Sequence, residues 1–318
     1  MKYKLFKENK NLISFVRYWL PPLFFPLLVA GSTHAEKSTS LDFLRIVPSV
    51  RAYGLAGNSQ AVTGAESLGL NPAGVGEMAK NWEVYTTFYQ PYQDASYSHL
   101  ALAKRFSNGP SIFAGVTHFT IQSGETTNDQ QQVTGGSTLN QDIALCLGMA
   151  GKVWESWGWG VNARAARSDL AGYASNWSWG GDVGVRGEVA RAKLGAYVKN
   201  LGTGIKFISE SSPLPTELSV EAGYPIRMVM PVIGYHRDIH LKTNALSLGT
   251  EGAFGPFRLR GGYRLESGAP GTTAADNFFI GAGGTLGAFT LDYGLSQQND
   301  QNTYLHRIGI SAAWGTPK

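Results

Sequence analysis

On either side of Gly255-Pro256 the chain reads as two halves of one hairpin. If that dipeptide is a two-residue turn, Phe254 faces Phe257, Gly252 faces Leu259, Thr250 faces Gly261, Leu248 faces Tyr263 and Leu246 faces Leu265. The other face pairs Ala253 with Arg258, Glu251 with Arg260, Gly249 with Gly262 and Ser247 with Arg264. One face is mainly apolar; the other is small or charged, with an acid opposite a base. A turn at Gly287-Ala288 repeats the result, setting Leu286, Gly284, Ala282 and Ile280 against Phe289, Leu291, Tyr293 and Leu295, with Gly283 and Asp292 on the polar side. A slip of one residue would exchange the faces, so this agreement fixes the register.

From Trp82 to Trp314 the chain breaks into about fourteen strand-length segments of this kind, among them Ile112 to Ile121 and Gln141 to Ala150. Their connections alternate in length. "SNGP", "GKVWES", "ARA", "PIRM", "GP" and "GA" are short, whereas "QSGETTNDQQQVTGGSTLN", "SDLAGYASN", "GTGIKFISESSPLPT", "SGAPGTTAADN" and "QQNDQNTY" are longer and polar. Short turns at one rim and long loops at the other are the pattern of an outer-membrane barrel. The predicted fold class is therefore all-β: an antiparallel transmembrane β-barrel occupying residues 81–318.

In that fold the apolar face meets lipid, and Asp142, Arg164, Asp182, Arg186, Glu251, Arg258, Arg260, Arg264 and Asp292 line the lumen. Arginines crowded in a dry core would each need a partner, which predicts a wide, wet lumen. Trp157 and Trp159 start one strand and Trp177 and Trp179 the next, so tryptophan reaches both interfacial belts. A carbohydrate-stacking patch would instead need them together.

The first 35 residues read as a secretory signal peptide. Lys2, Lys4, Lys7, Lys10 and Arg17 precede the apolar run "WLPPLFFPLLVAG", and "STHA" supplies a small-residue cleavage site after Ala35. The run is short and holds three prolines, which disfavours a retained anchor. This segment contains five of the 27 basic residues and one of the 23 acidic ones, so the rest of the chain carries equal numbers of each. No basic patch suggests a nucleic-acid partner. One cysteine, Cys146, excludes an internal disulfide.

No catalytic or cofactor constellation emerges. His236 and His240 in "HRDIH" would stand about 13 Å apart on a strand and read as solvated. "GAGGTLG" lacks dinucleotide spacing, no G-x-S-x-G elbow occurs, and His99, His118 and His306 are scattered. The chain is read as neither an enzyme nor a cofactor carrier, with no metal site.

The end, "RIGISAAW", is similar to the terminal-strand signal read by the barrel assembly machinery, with Arg307, Gly309 and Trp314 at the polar, glycine and aromatic positions. At the other end, residues 36–80 lack strand alternation. Within "LGLNPAGVG", Pro72 removes a backbone donor, and Gly74 and Gly76 permit tight folding, so the stretch cannot serve as a central strand.

Asn71, Pro72, Ala73 and Gly74, following a glycine-rich stretch and preceding the first strand, resemble the N-terminal region of the FadL and PorV/PorQ superfamily of outer-membrane proteins. The resemblance spans Phe43 to about Phe106 and returns weakly in "FRLRGGYR" and "FTLDYGLS"; Glu66 stands alone where relatives carry an acidic pair. It implies a hatch, residues 36–80, inside a 14-stranded barrel in the outer membrane of a Gram-negative-type bacterium. It implies passage of a hydrophobic or amphipathic small molecule, or alternatively an accessory barrel of protein secretion or surface attachment of the type IX kind, whose partner would be secreted cargo.

Overall fold

The computed structural model describes residues 39–91, 94–127, 133–170, 173–207, 210–267, 278–298 and 303–316. The signal peptide expected over residues 1–35 lies outside them. The strands are β1 (Trp82–Tyr89), β2 (Ala95–Lys104), β3 (Ser111–Thr127), β4 (Val133–Trp154), β5 (Trp157–Leu170), β6 (Tyr173–Ala174), β7 (Ser178–Val189), β8 (Ala192–Gly202) and β9 (Ile205–Phe207). They continue as β10 (Glu210–Ser212), β11 (Glu217–Gly223), β12 (Val229–Asp238), β13 (Asn244–Phe254), β14 (Phe257–Ser267), β15 (Phe278–Leu286), β16 (Phe289–Gln298) and β17 (Thr303–Trp314).

All but the short β6, β9 and β10 form a closed barrel of 14 antiparallel strands. Closure runs along β1 and β17, from Trp82 opposite Trp314 to Phe88 opposite Ile308. A closed sheet leaves no unpaired backbone edge, the condition for a strand-built span of a membrane. No helix among the described residues is long and apolar enough to cross one.

Register follows the residue alternation. β13 and β14 pair Phe254 with Phe257, Leu248 with Tyr263 and Glu251 with Arg260. β15 and β16 pair Leu286 with Phe289 and Gly283 with Asp292. Leu102, Leu147, Val185, Leu248, Leu259, Ile280, Leu291 and Ile310 are exposed, while Ser247, Glu251, Arg260 and Asp292 on the alternate positions are buried. Apolar exposure running round the whole barrel is too extensive for a water-facing surface and fits a lipid-facing one. Phe254, Phe257 and Phe289 are exposed beside the turns, as expected for an aromatic girdle.

Several connections differ from the sequence reading: β6 lies in "SDLAGYASN" and the β9–β10 hairpin in "GTGIKFISESSPLPT", and two others are mostly strand. The stretch "QSGETTNDQQQVTGGSTLN" is largely strand: β3 continues to Thr127 and β4 begins at Val133, with register shifts at Ile121/Gln122, Gln122/Glu125 and Thr126/Thr127. Beyond the apolar band both strand faces can be solvated, so alternation lapses while backbone pairing persists. "GKVWES" is likewise mostly strand, since β4 runs to Trp154 and leaves Glu155-Ser156 as the turn. Between β7 and β8 the turn is Ala190-Arg191, both at positive φ (48° and 73°). That is primed-turn geometry without the usual glycine or asparagine.

Residues 39–80 add no strand. They fold into short helical turns at Asp42–Arg45, Val50–Tyr53, Gly64–Ser67 and Pro72–Glu77. The Ser49 hydroxyl accepts the Ala52 N–H and caps the second; the Asn71 amide oxygen accepts the Ala73 N–H and starts the fourth, with Pro72 in the first helical position. Ala65, Leu68, Val75 and Met78 pack on Tyr85, Ala101, Ala103, Phe113 and Ala150 of β1 to β4. The apolar core thus lies between this segment and the inner wall.

Leu248 stands near the middle of β13 on the exposed face. Leu248→Arg is expected to lower stability in a lipid bilayer by about 2–4 kcal/mol, measured by denaturant unfolding. Leu248→Phe, which keeps an apolar side chain at the same position, should cost far less, and equal losses for the two changes would refute the lipid-facing assignment.

Candidate functional site

The Asn-Pro-Ala-Gly turn is seated on bare backbone. A Cβ on Gly160 of β5 would come within 2.3 Å of the Pro72 carbonyl carbon and 2.4 Å of the Ala73 nitrogen. A Cβ on Gly184 of β7 would lie 2.2 Å from the Asn71 side-chain oxygen. Asn71 Nδ2 donates to the Val185 carbonyl at 3.1 Å, and all four motif residues are buried. The turn backbone occupies the space of a side chain at Gly160, and the Asn71 side chain occupies it at Gly184.

Charged groups hold the rest of the segment. Buried Arg186 on β7 donates to the carbonyls of Gln60 and Val62 and lies 3.1 Å from the Glu77 carboxylate. Arg51 donates to both oxygens of Glu251, at 2.7 and 2.5 Å. Glu251 also accepts from Arg260 at 2.7 Å, and Arg260 donates to Asp292 at 2.5 Å. Asp182 accepts from Arg164 at 2.6 Å, from Asn162 at 2.8 Å and from the Asn200 N–H at 2.8 Å. Asp142 accepts from Asn140 at 2.9 Å.

These residues face inward, but the expected wide, wet lumen is not what surrounds them. Arg186, Glu251, Arg260 and Asp292 are buried because residues 51–77 fill the space and supply part of their partners. Arg258 and Arg264 differ: Arg258 donates back to the Gly255 carbonyl at 2.8 Å beside the turn, and Arg264 pairs with Glu266 at 2.6 Å near the loops.

His236 is also corrected. It is buried on β12, sharing hydrogen bonds with Ser219 at 2.9 Å and Ser247 at 2.8 Å, whereas His240 lies beyond the strand. Glu221 escaped notice as well. Its carboxylate accepts from the Ser59 N–H at 2.9 Å, the Ser59 hydroxyl at 2.5 Å, Gln60 at 3.3 Å and the Tyr197 hydroxyl at 3.0 Å. The signal was present: Glu221 alternates with Val220 and Ala222 on the inward parity of its strand.

Arg307 and Gly309 point inward beside the segment. The Arg307 guanidinium sits 3.7 Å from the Tyr53 ring and 4.0 Å from the Tyr89 ring, and Nη1 donates to the Val47 carbonyl at 2.8 Å. A Cβ on Gly309 would meet the Tyr85 hydroxyl at 2.7 Å. Trp314 is exposed at the closing seam and stacks on Trp82, with 6.4 Å between centroids.

Two cavities flank the turn. On the loop side lies one of about 380 Å³ bordered by Val47, Tyr53, Leu70, Tyr197, Phe279 and Arg307. On the short-turn side lies one of about 350 Å³ bordered by Ala73, Gly76, Trp157 and Arg186. Leu70 lines the first and Ala73 the second, so Asn71 and Pro72 stand in the wall between them.

No protein-family profile and no curated protein matches this sequence. Solved structures match its fold. The Ralstonia pickettii toluene transporter TbuX superposes with a TM-score of 0.57 at 13% identity, covering 84% of this chain and 98% of that one. The Pseudomonas putida toluene transporter TodX gives 0.57 at 13%, covering 82% and 96%. A Pseudomonas aeruginosa FadL homologue gives 0.56 at 11%, covering 83% and 97%. The fold is that of a FadL-like outer-membrane barrel.

Gly160→Val should displace the turn without unpairing β5, seen as increased single-channel conductance with an unchanged heat-shifted band on gels. Unchanged conductance would mean that the turn is not seated as described. Glu66 gives a pH test. It is buried, accepts from the Ser49 hydroxyl at 2.7 Å, and titrates at about 7, pushed up first by burial and then by the charge of Asp292. Arg51 and Arg260 oppose this. The folded state therefore binds this proton more tightly than a free carboxyl does, so seating is favoured at low pH and weakens as pH rises through about 7. Conductance events should become more frequent from roughly pH 4.5, the ordinary carboxyl value, to about pH 7 and level off above it, and Glu66→Gln should remove the dependence.

Proposed function

We propose that this protein conducts hydrophobic or amphipathic small molecules across the outer membrane and that residues 36–80 are its hatch. The observation that carries this reading is the pair of cavities separated by Asn71 and Pro72 inside a barrel with an apolar exterior. A route from one cavity to the other needs only that this turn move.

Toluene transport by two proteins of similar fold, TbuX and TodX, favours passage over the accessory-barrel alternative. The short-turn rim faces the periplasm and the long-loop rim the exterior. Ligand entering from outside then meets the larger cavity first. Of the inward charges, Arg186 and Glu251 hold the hatch directly, Arg260 and Asp292 back Glu251, Asp182 ties β5, β7 and β8 together, and Arg264 borders the entry cavity. Partners in this reading are outer-membrane lipid, the ligand and, during biogenesis, the assembly machinery that reads Arg307, Gly309 and Trp314.

Energetics favour a local opening. Expelling the whole segment would break the charged contacts of Arg186, Glu221 and Glu251 together and unpack the core of Ala65, Leu68, Val75 and Met78. Shifting Asn71 to Gly76 breaks the Asn71–Val185 hydrogen bond, worth about 1 kcal/mol net, and unpacks Val75, at about 1.5–3 kcal/mol, but unpairs no charge.

The test is a tether. In a Cys146→Ser background, Asn71→Cys with Gly184→Cys places two thiols where the turn meets β7. Uptake of toluene and of a fatty acid into proteoliposomes should fall when the pair is oxidised and recover on reduction. Equal uptake in both states would remove the gate from this turn, and no uptake by wild-type protein would remove the passage reading.

A further inference from the structure

The loop-side cavity has one cation too many. Among its lining residues Lys199 pairs with Glu217 at 3.2 Å, Arg264 with Glu266 at 2.6 Å, and Arg45 with Asp238. Each carboxylate there has its own basic partner. Among the described residues, none lies within ion-pair distance of Arg307.

Arg307 is also built as a recognition group. It is 7% exposed, and the Tyr53 and Tyr89 rings cover its two faces at 3.7 and 4.0 Å. Ring faces attract the cation but do not accept its in-plane N–H groups. Of those, Nη1 is used by the Val47 carbonyl at 2.8 Å, whereas Nε has no hydrogen-bond partner. A buried guanidinium stripped of water on both faces and left with an unmade in-plane bond is short of an acceptor, and a planar carboxylate fits its fork.

The surroundings specify what such a carboxylate is attached to. Tyr53 and Phe279 meet edge to face, 5.1 Å between centroids, and Tyr197 borders the same cavity. Beyond these rings the lining turns polar at Glu217, His236, Asp238, Asn244 and Glu266. A flat ring fits among aromatic neighbours. The lining also carries Ile46, Val47, Leu70 and Leu241, so the preference for a ring over an alkyl chain rests on the edge-to-face pair of Tyr53 and Phe279.

We propose that this cavity binds a small aromatic carboxylate, with the acid on the in-plane edge of Arg307 and the ring against Tyr53 and Phe279. The proposal rests on the passage reading and narrows its substrate class from hydrophobic molecules at large to aryl monoanions. Binding on Arg307 also touches the hatch, because Val47 and Tyr53 are the residues that hold this guanidinium.

The test is calorimetric binding to the full-length protein in detergent with benzoate, toluene, decanoate and benzylamine. Benzoate should bind at least about tenfold more tightly than the other three, as expected for a charge-assisted bond completed in a buried site. Arg307→Gln should lose that advantage and retain toluene. Because Arg307 sits in the closing strand and its variant can fail to assemble, Phe279→Leu is a second probe: it keeps the cation and should weaken benzoate and toluene alike. Toluene or decanoate binding as tightly as benzoate in wild-type protein overturns the proposal, as does benzoate affinity unchanged in Arg307→Gln or Phe279→Leu. Proteoliposome uptake separates the two claims. Uptake of toluene without preferential benzoate binding ends this inference alone, and uptake of no compound ends the passage reading.

Discussion

The requirement that no backbone N–H or C=O face hydrocarbon unpaired governs the rest of this structure. It forces the sheet to close along Trp82–Trp314, and closure fixes two faces with opposite chemistry. Leu248 and Leu259 are turned to the exterior, and Glu251 and Arg260, their neighbours in sequence, must then turn inward. A 14-stranded ring leaves an interior too wide for its own side chains to fill. Charges placed there need either water or protein. Here the N-terminal segment supplies the protein, and the same residues that make the exterior compatible with lipid make the interior dependent on that segment.

The dependence is mutual. Residues 39–80 have helical turns of only four to six residues, far below the length at which a helix stands alone in water. Their order comes from the wall: Arg186 gathers the carbonyls of Gln60 and Val62, Glu221 gathers the N–H and hydroxyl of Ser59, and Tyr85 donates to the Pro48 carbonyl at 3.1 Å. Conversely, Glu251 would be held only by Arg260 if Arg51 were withdrawn. A buried pair stripped of one partner is costly, and this couples the N-terminal segment and the barrel into one unit.

Legibility in the sequence followed the physics of each region. The β13–β14 and β15–β16 registers were readable because lipid on one side and polar contacts on the other impose strict alternation on Leu246 to Leu265 and Ile280 to Leu295. The extension of β3 and β4 was not, because outside the apolar band nothing demands that alternation. The motif Asn71 to Gly74 marked the segment that cannot be a strand. Its partners Gly160 and Gly184 could not be inferred, since a glycine in a strand reads as weak strand propensity until the approaching backbone is known. Inward charges were identified by parity alone, but whether water or protein surrounded them depends on long-range packing. For that reason the wet lumen was wrong and the solvated reading of His236 failed with it.

Strength of attachment varies along the segment. Val47 to Val62 is tied by Arg307, Tyr85, Glu251, Glu221 and Arg186, mostly through charged groups with no water to replace the lost partners. Asn71 to Gly76 is tied by one amide hydrogen bond, by close contact with Gly160, Gly184 and Gly151, and by Val75, which is buried in the core shared with Tyr85, Phe113 and Ala150. Glycine permits close approach, but it contributes little dispersion or hydrophobic contact of its own. The part of the segment between the two cavities therefore carries no charged tie of its own, while the part around Arg51, Gln60 and Val62 keeps the barrel's interior charges paired.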